Sequence, residues 1–535
     1  MCATTLSAAG PMGKGSLPPV FPKDVADKAQ FDTRTRAYLS PVRVMWMQNG
    51  ELIDGAQNLL LQGNGQATTA ATPKTVFTAK EGKRPSILLD FGREIHGGLQ
   101  FVTCIRASTK PVKVRVRLGE SVGEAMCNIT PENGATNDHA MRDYTIELPW
   151  LGVCEVGNSG FRFVRIDLLE DDVELPIKEI RASLVYRDIP YLGSFRSSDP
   201  RVDSIWMTGA YTLHLNLQEY LVEAPKRDRL VWLGDLHPEV RTALAVFGDN
   251  EALSRGLDFA RDETPLPGWM NGMCSYSLWW VLIHRDYYKY RGDMDYLREQ
   301  QPYLSQLLRI LMSKVDAEGR EHLDGGGRFL DWPTSEDTLA IDAGLHALML
   351  MTLEAGGEML TALGDKELAG QCFETAGRMK KVTPDYRTSK QSAALIALAG
   401  IVPAEKANEE VLSVGGPHGF STFYGYYMLQ AQAKAGDYVG AIRNMKDYWG
   451  GMLDLGGFRR GLAEERRAHR RTDACGQDRR SPHLRRLLLQ GIPSQPGPRL
   501  GIGSDRFSER VRARRADRRA GLQGRPCRAR SEEHT

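Results

Sequence analysis

Apolar positions follow two different periods along this chain. Up to about residue 188, apolar and polar residues alternate in short runs that are separated by Gly, Pro and Asn. The clearest run, residues 111–119, alternates Val112, Val114 and Val116 with Lys and Arg. A period of two is that of a β-strand with one face in the core. We therefore predict an antiparallel β-sandwich for this part of the chain.

Near Pro200 the apolar period changes to three or four residues, and the pattern predicts helices as far as about Gly451. Four Gly-Asp pairs separate the helical stretches: Gly248-Asp249, Gly292-Asp293, Gly364-Asp365 and Gly436-Asp437. Gly can end one helix in the left-handed conformation, and Asp can cap the next. We interpret these pairs as helix-hairpin turns. No residue pattern repeats with the 34-residue period of a helical solenoid, so we expect a barrel of hairpins.

Four segments follow from these patterns: an N-terminal extension (1–35), the β-sandwich domain (36–195), a barrel of helical hairpins (196–457) and an Arg-rich tail (458–535). The tail contains 21 Arg and no Lys, and its helical periodicity is nearly lost. We interpret it as the translation of a shifted reading frame and expect it to be disordered. A basic arm that binds nucleic acid is the alternative interpretation.

Overall charge indicates no polyanionic partner, because 69 basic residues balance 67 acidic ones. We expect no nucleic acid, no membrane-spanning helix and no complete signal peptide, although export of the native protein stays open. The eight cysteines form no CxxC pair, and the histidines lack the spacing of metal ligands. The sequence therefore predicts no metal and no cofactor.

One segment between two predicted helices, residues 223–235, carries a distinctive set of side chains. It contains three carboxylates, several basic residues and a Trp, and Pro225 prevents one continuous helix. Carboxylates and guanidinium groups bind sugar hydroxyls, an aromatic ring stacks on the apolar face of a sugar, and a carboxylic acid can protonate a glycosidic oxygen. A surface loop with a helix cap is the alternative explanation of the same residues.

The segment resembles the motif of inverting α-L-rhamnosidases of glycoside hydrolase family 78. An acidic residue, an Arg followed by the general acid, a Trp and a further Asp correspond here to Glu223, Arg227, Asp228, Trp232 and Asp235. The resemblance implies an (α/α)6 six-hairpin barrel behind a β-sandwich, with Asp228 as the catalytic acid and the other four residues in substrate binding. It implies a rhamnose-containing oligosaccharide or glycoside as the substrate.

Further substrate-binding candidates lie in the predicted barrel. Residues 329–333 resemble the sugar-contacting loop of the family, which nominates Asp331 and Trp332. Trp269 and Tyr276 belong to an aromatic-rich stretch and are candidates for the walls of a sugar pocket, with a place in the helical core as the alternative.

Two departures from the family pattern bear on the mechanism. Glu223 stands where the family usually has Asp, and Asp228 stands where many members have Glu. The general base of the family is a Glu in an aromatic stretch before the last barrel helix, and this chain enters its Arg-rich tail after Gly457 instead. We therefore expect a barrel that is incomplete at its C-terminal end and a chain with little or no activity.

Two alternative functions stay open. A related six-hairpin glycosidase that acts on another sugar would explain the Asp and Glu exchanges. A carbohydrate-binding homologue without catalysis would explain the missing base.

Overall fold

The computed structural model describes residues 15–70, 72–129, 142–226 and 228–457. The predictions for Arg227 and for the tail 458–535 lie outside these residues.

Among its described residues the N-terminal domain has nine strands, and every pairing between them is antiparallel, as predicted. They run in the order β3-β4-β9-β5-β8-β6-β7, with β1 beside β9 and β2 beside β5. The strands are β1 (Thr35–Leu39), β2 (Arg43–Gln48), β3 (Ile53–Asp54), β4 (Thr75–Ala79), β5 (Ser86–Thr103), β6 (Val112–Gly119), β7 (Asp143–Leu148), β8 (Val153–Leu168) and β9 (Val173–Tyr186), with short helices α1 (Lys23–Ala26) and α2 (Val122–Met126).

Alternation in β6 places the predicted side chains in the core, since Val112, Val114 and Val116 are all buried. The opposite face is less exposed than the pattern indicates. Arg117 is buried there because α2 packs on β6 and β8, and its guanidinium donates to Asp167 Oδ2 at 2.7 Å. The ion pair allows a basic residue to lie inside the fold.

The helical domain is a ring in which α4, α6, α8, α10 and α12 pack successively against one another. Its helices are α3 (Pro200–Asn216), α4 (Leu233–Val246), α5 (Glu251–Asp262), α6 (Cys274–Arg291), α7 (Met294–Ser313), α8 (Thr338–Leu363), α9 (Lys366–Met379), α10 (Lys390–Leu398), α11 (Ala404–Ala407), α12 (Gly425–Lys434) and α13 (Tyr438–Met452). α13 packs against α3, and Arg201 pairs with Asp454 at 2.6 Å. Within the described chain, α8 alone is long and apolar enough to cross a membrane, but 78% of its most apolar window is buried inside this fold.

Three of the four predicted Gly-Asp turns have the expected caps. Asp293, Asp365 and Asp437 each accept a hydrogen bond from the first turn of the following helix. The prediction is wrong for Asp249, because Asn250 caps α5 instead. Asp249 accepts the phenol hydroxyl of Tyr287 at 2.6 Å.

The Asp365→Ala variant should lower the free energy of unfolding by about 1 kcal/mol, because the N–H of Leu368 loses its acceptor. Chemical denaturation measures this difference. Asp365→Asn keeps an acceptor oxygen and is the matched control. Equal losses in the two variants would contradict a capping role.

Candidate active site

A loop joins α3 to α4 and carries Glu223, Asp228 and Trp232 of the predicted site; we call residues 217–232 the acid loop. Glu223 closes this loop upon itself. Its backbone N–H donates to the Leu230 carbonyl at 3.2 Å, and its Oε2 accepts the Leu230 N–H at 3.1 Å. The side chain predicted to bind substrate therefore also fixes the loop in which half-buried Asp228 lies.

Side chains at or before the N-termini of five helices of the ring lie near one another because these helices begin at the same end. Asp235 and Tyr276 lie in the first turns of α4 and α6, and Gln391 lies in the first turn of α10. Asp331 and Tyr424 precede α8 and α12. Helix N-termini carry partial positive charge, which favours negative groups at this end of the ring.

Five carboxyls dominate the site, four of them buried and that of Asp228 half-buried; we call Glu223, Asp228, Asp235, Glu239 and Asp331 the carboxylate cluster. Asp235 is completely buried, and neither of its carboxyl oxygens has a hydrogen-bond partner among the described residues. Burial raises the pKa of Asp235 well above its usual range, and the charges of the other four carboxyls raise it further. Asp235 therefore keeps a proton more readily than a solvent-exposed Asp and can donate a hydrogen bond.

Glu239 lies one helical turn beyond Asp235, also in the interior. Asn216 donates to its Oε1 at 3.0 Å, whereas its Oε2 has no hydrogen-bond partner in the described part of the chain. Burial raises the pKa of Glu239 well above its usual range, the Asn216 hydrogen bond opposes this change, and the charge of Glu223 adds to it.

Asp331 is held from three directions. Its carboxyl accepts from the Trp332 N–H at 2.9 Å, from Gln391 Nε2 at 3.0 Å and from Ser421 Oγ. Burial raises its pKa to about 6, although these hydrogen bonds act in the opposite direction. Asp331 thus links the loop before α8 to α10 and to the segment before α12.

Aromatic side chains form a connected wall beside the cluster. Trp232 packs edge-on against Tyr276, Tyr276 against Phe329, and Phe329 against Trp332, with ring centroids 5.0–6.4 Å apart. Gly234 permits this arrangement, because a Cβ there would lie 2.4 Å from Cε1 of Tyr276. Among the described residues, the buried hydroxyl of Tyr276 has no hydrogen-bond partner.

Trp269 lies under a glycine-rich loop. Its indole N–H donates to the Asp324 carbonyl at 2.7 Å, and a Cβ on Gly326 would meet its ring at 2.5 Å. The neighbouring Asn271 holds the backbone on both sides of Trp232. It donates to the Val231 carbonyl and accepts the Leu233 N–H, both at 3.1 Å.

Sequence reasoning missed several members of this site. Glu239 could have been predicted from its spacing, because a residue four positions after Asp235 lies on the same face of a helix. Gln391, Ser421 and Tyr424 could not, since they reach Asp331 and Tyr276 from segments distant in sequence. The buried hydroxyl of Tyr424 has no hydrogen-bond partner in the described residues.

Comparison with known proteins identifies the helical region. Residues 190–413 match the family model described as the bacterial alpha-L-rhamnosidase 6 hairpin glycosidase domain. This region is similar to the six-hairpin glycosidase domain of bacterial α-L-rhamnosidases. The six-hairpin domain thus accounts for the ring of paired helices and for the end at which the carboxylate cluster lies.

Proteins and solved structures that are similar to this chain are named as rhamnosidases. A curated α-L-rhamnosidase from Alteromonas sp. (strain LOR) is 20% identical over 278 residues, which are 48% of this chain and 28% of that protein. A Klebsiella oxytoca rhamnosidase structure with rhamnose bound has a TM-score of 0.64 and 18% identity, covering 79% of this chain and 88% of that one. A family 78 rhamnosidase structure from Bacillus sp. GL1 has a TM-score of 0.61 and 19% identity, covering 75% and 44%. These structures share the fold of the β-domain followed by the six-hairpin domain.

The Glu239→Gln variant should be more stable than the parent at pH 7, by about 1 kcal/mol or more. Folded Glu239 keeps its proton at pH values where an unfolded Glu, with a pKa near 4.5, loses it. The free energy of unfolding of the parent therefore decreases as pH rises above about 4.5. The variant lacks the contribution of Glu239 to this decrease. Denaturation midpoints between pH 4 and 8 measure it, with the exposed Glu318→Gln as the control. A difference that does not change with pH would contradict burial of a protonated Glu239.

Proposed function

We propose that this protein binds a terminal α-L-rhamnosyl residue at the carboxylate cluster and cleaves its glycosidic bond with inversion, with Asp228 as the general acid. The observation that carries the proposal is the set of buried polar groups without hydrogen-bond partners in the described chain, on Asp235, Glu239, Tyr276 and Tyr424. Buried polar groups are nearly always paired, and unpaired ones are costly. Sugar hydroxyls both donate and accept, so they are suited to this mixture of carboxyls and phenols.

The aromatic wall supports a deoxysugar in particular. The rings of Trp232 and Trp332 flank the carboxylate cluster, and Trp232 is half-buried. A methyl group and the apolar face of a sugar ring can pack on such rings, while the hydroxyls on its other edge reach the carboxyls. A six-hairpin glycosidase for another sugar would use the same elements, and a panel of aryl glycosides separates the two substrates.

Asp228 is proposed as the acid because of where it lies. It is half-buried, whereas Asp235 and Asp331 are completely enclosed, and its charge reaches Asp235. In the proposed step the bond from the anomeric carbon to the leaving oxygen breaks, the oxygen keeps the electron pair and takes the Asp228 proton, and a nucleophile attacks from the opposite face. We propose that the base that activates water lies outside residues 15–457.

Asp228→Asn should lower kcat on an alkyl α-L-rhamnoside by about 10²–10⁴-fold, because the leaving oxygen loses its proton donor. Azide should be included as a nucleophile, since it needs no base and yields a rhamnosyl azide of inverted configuration. The variant should bind L-rhamnose about as well as the parent. The exposed Asp295→Asn is the matched control.

Three outcomes separate the candidate functions. Turnover that depends on Asp228 supports the proposed hydrolase. Rhamnose binding without turnover, even with azide, favours a carbohydrate-binding homologue. If the parent neither binds rhamnose nor cleaves rhamnosides, the proposal is wrong.

A further inference from the structure

A buried ion cluster joins the acid loop to the β-domain. Lys226 Nζ donates to Glu120 Oε2 and to Glu124 Oε1, each at 2.8 Å. The three side chains are between 5% and 11% exposed. Lys226 lies two residues before Asp228, whereas Glu120 directly follows β6 and Glu124 lies in α2. The charged contact therefore bridges two domains at the position of the proposed acid.

The two negative charges of Glu120 and Glu124 face more than one cation. Arg142 approaches Glu124 at 3.6 Å and adds a second cation. Burial, together with the charge of nearby Glu120, raises the pKa of Glu94 well above its usual range. Glu94 therefore tends to stay protonated and does not add a third negative charge beside Lys226.

Two further contacts hold the acid loop on the same face of the β-domain. Buried His96 donates from Nδ1 to the Pro225 carbonyl at 2.9 Å, and burial lowers its pKa to about 4, which keeps the ring neutral. On the other side of Asp228, Arg229 donates to the Asn158 carbonyl at 2.7 Å. Arg229 has a φ of 52°, a left-handed conformation that costs free energy in a residue with a side chain and needs such support.

Close backbone approach completes the contact. A Cβ at Gly160 on β8 would lie 3.1 Å from Cβ of Lys226 and 3.0 Å from Oε1 of Glu94. A larger residue at this position would push the acid loop away from the β-domain.

We propose that the β-domain acts as a clamp for the acid loop and that Lys226 is a positioning residue for Asp228; this inference rests on the proposed function. Contacts with the β-domain anchor residues 225, 226 and 229, which lie on both sides of Asp228. The β-domain thereby fixes the stretch of loop that carries the Asp228 carboxyl. Proton transfer needs donor and acceptor within about 3 Å, which makes the acid sensitive to small movements of its loop. A buried ion pair contributes little net stability, which fits a role in geometry better than a role in folding.

Lys226→Met tests the clamp, because it keeps the length of the side chain and removes the charge. Rates should be measured with azide on two rhamnosides, one with an alkyl leaving group and one with a dinitrophenyl leaving group that departs without a proton. The clamp predicts that the alkyl rate falls about ten-fold or more relative to the dinitrophenyl rate, in the same direction as for Asp228→Asn. The matched control is Lys113→Met, which removes an exposed lysine of the β-domain.

Amide hydrogen exchange gives a second readout that needs no turnover. Peptides covering residues 223–235 should exchange about ten-fold faster in Lys226→Met. Exchange should also rise in α2, whose buried Glu124 loses a counter-charge, with the rest of both domains unchanged. Two results would overturn the clamp and leave the proposed function standing. In the first, Lys226→Met slows cleavage of the alkyl and the dinitrophenyl rhamnoside equally. In the second, Lys226→Met slows neither, whereas Asp228→Asn still slows the alkyl rhamnoside more than the dinitrophenyl one. If no rhamnoside is cleaved, the proposed function fails, and unchanged exchange in the acid loop would then overturn the clamp as well.

Discussion

Burial of carboxyl groups at one end of a helical ring is the constraint on which this structure depends. A carboxylate inside a protein is costly unless it is paired or keeps its proton. Here Asp331 accepts hydrogen bonds from Ser421, Gln391 and the Trp332 N–H. Both carboxyl oxygens of Asp235 and one of Glu239 have no hydrogen-bond partner among the described residues, and burial raises the pKa of these two groups well above the usual range. The fold thus maintains groups that can exchange hydrogen bonds with a polar ligand, at a cost in stability that the apolar core of the ring must offset.

The acid loop links the carboxyl-rich end of the helical ring to the β-domain. From the helical side, Glu223 closes the loop on Leu230, and Asn271 holds the backbone beside Trp232. From the β-domain, Glu120 and Glu124 hold Lys226. Neither domain alone fixes the position of Asp228, so in our account the β-domain is part of the proposed catalytic apparatus.

Local sequence patterns predicted much of this fold, because local physics determines those features. Alternation in β6 identified Val114 as a core residue. The Gly-Asp pairs predicted where helices begin, and Asp293 and Asp365 cap the helices that follow them. Hydrogen-bond partners that depend on tertiary contacts could not be predicted from local sequence. Gln391 and Ser421 bind Asp331 although they are 60 and 90 residues away in the chain, respectively. The contact of Lys226 with Glu120 spans 106 residues and had no local signal either. The motif nominated residues for the chemistry, and tertiary packing decides which other residues hold them in place.

The most direct test of the account is a crystal structure of the protein with L-rhamnose. The account predicts one sugar at the N-terminal end of the helical ring, with its hydroxyls within hydrogen-bond distance of Asp235 and the Tyr276 hydroxyl and its apolar face against Trp232 or Trp332. A sugar bound elsewhere, or crystals saturated with rhamnose in which Asp235 contacts no ligand, would contradict it.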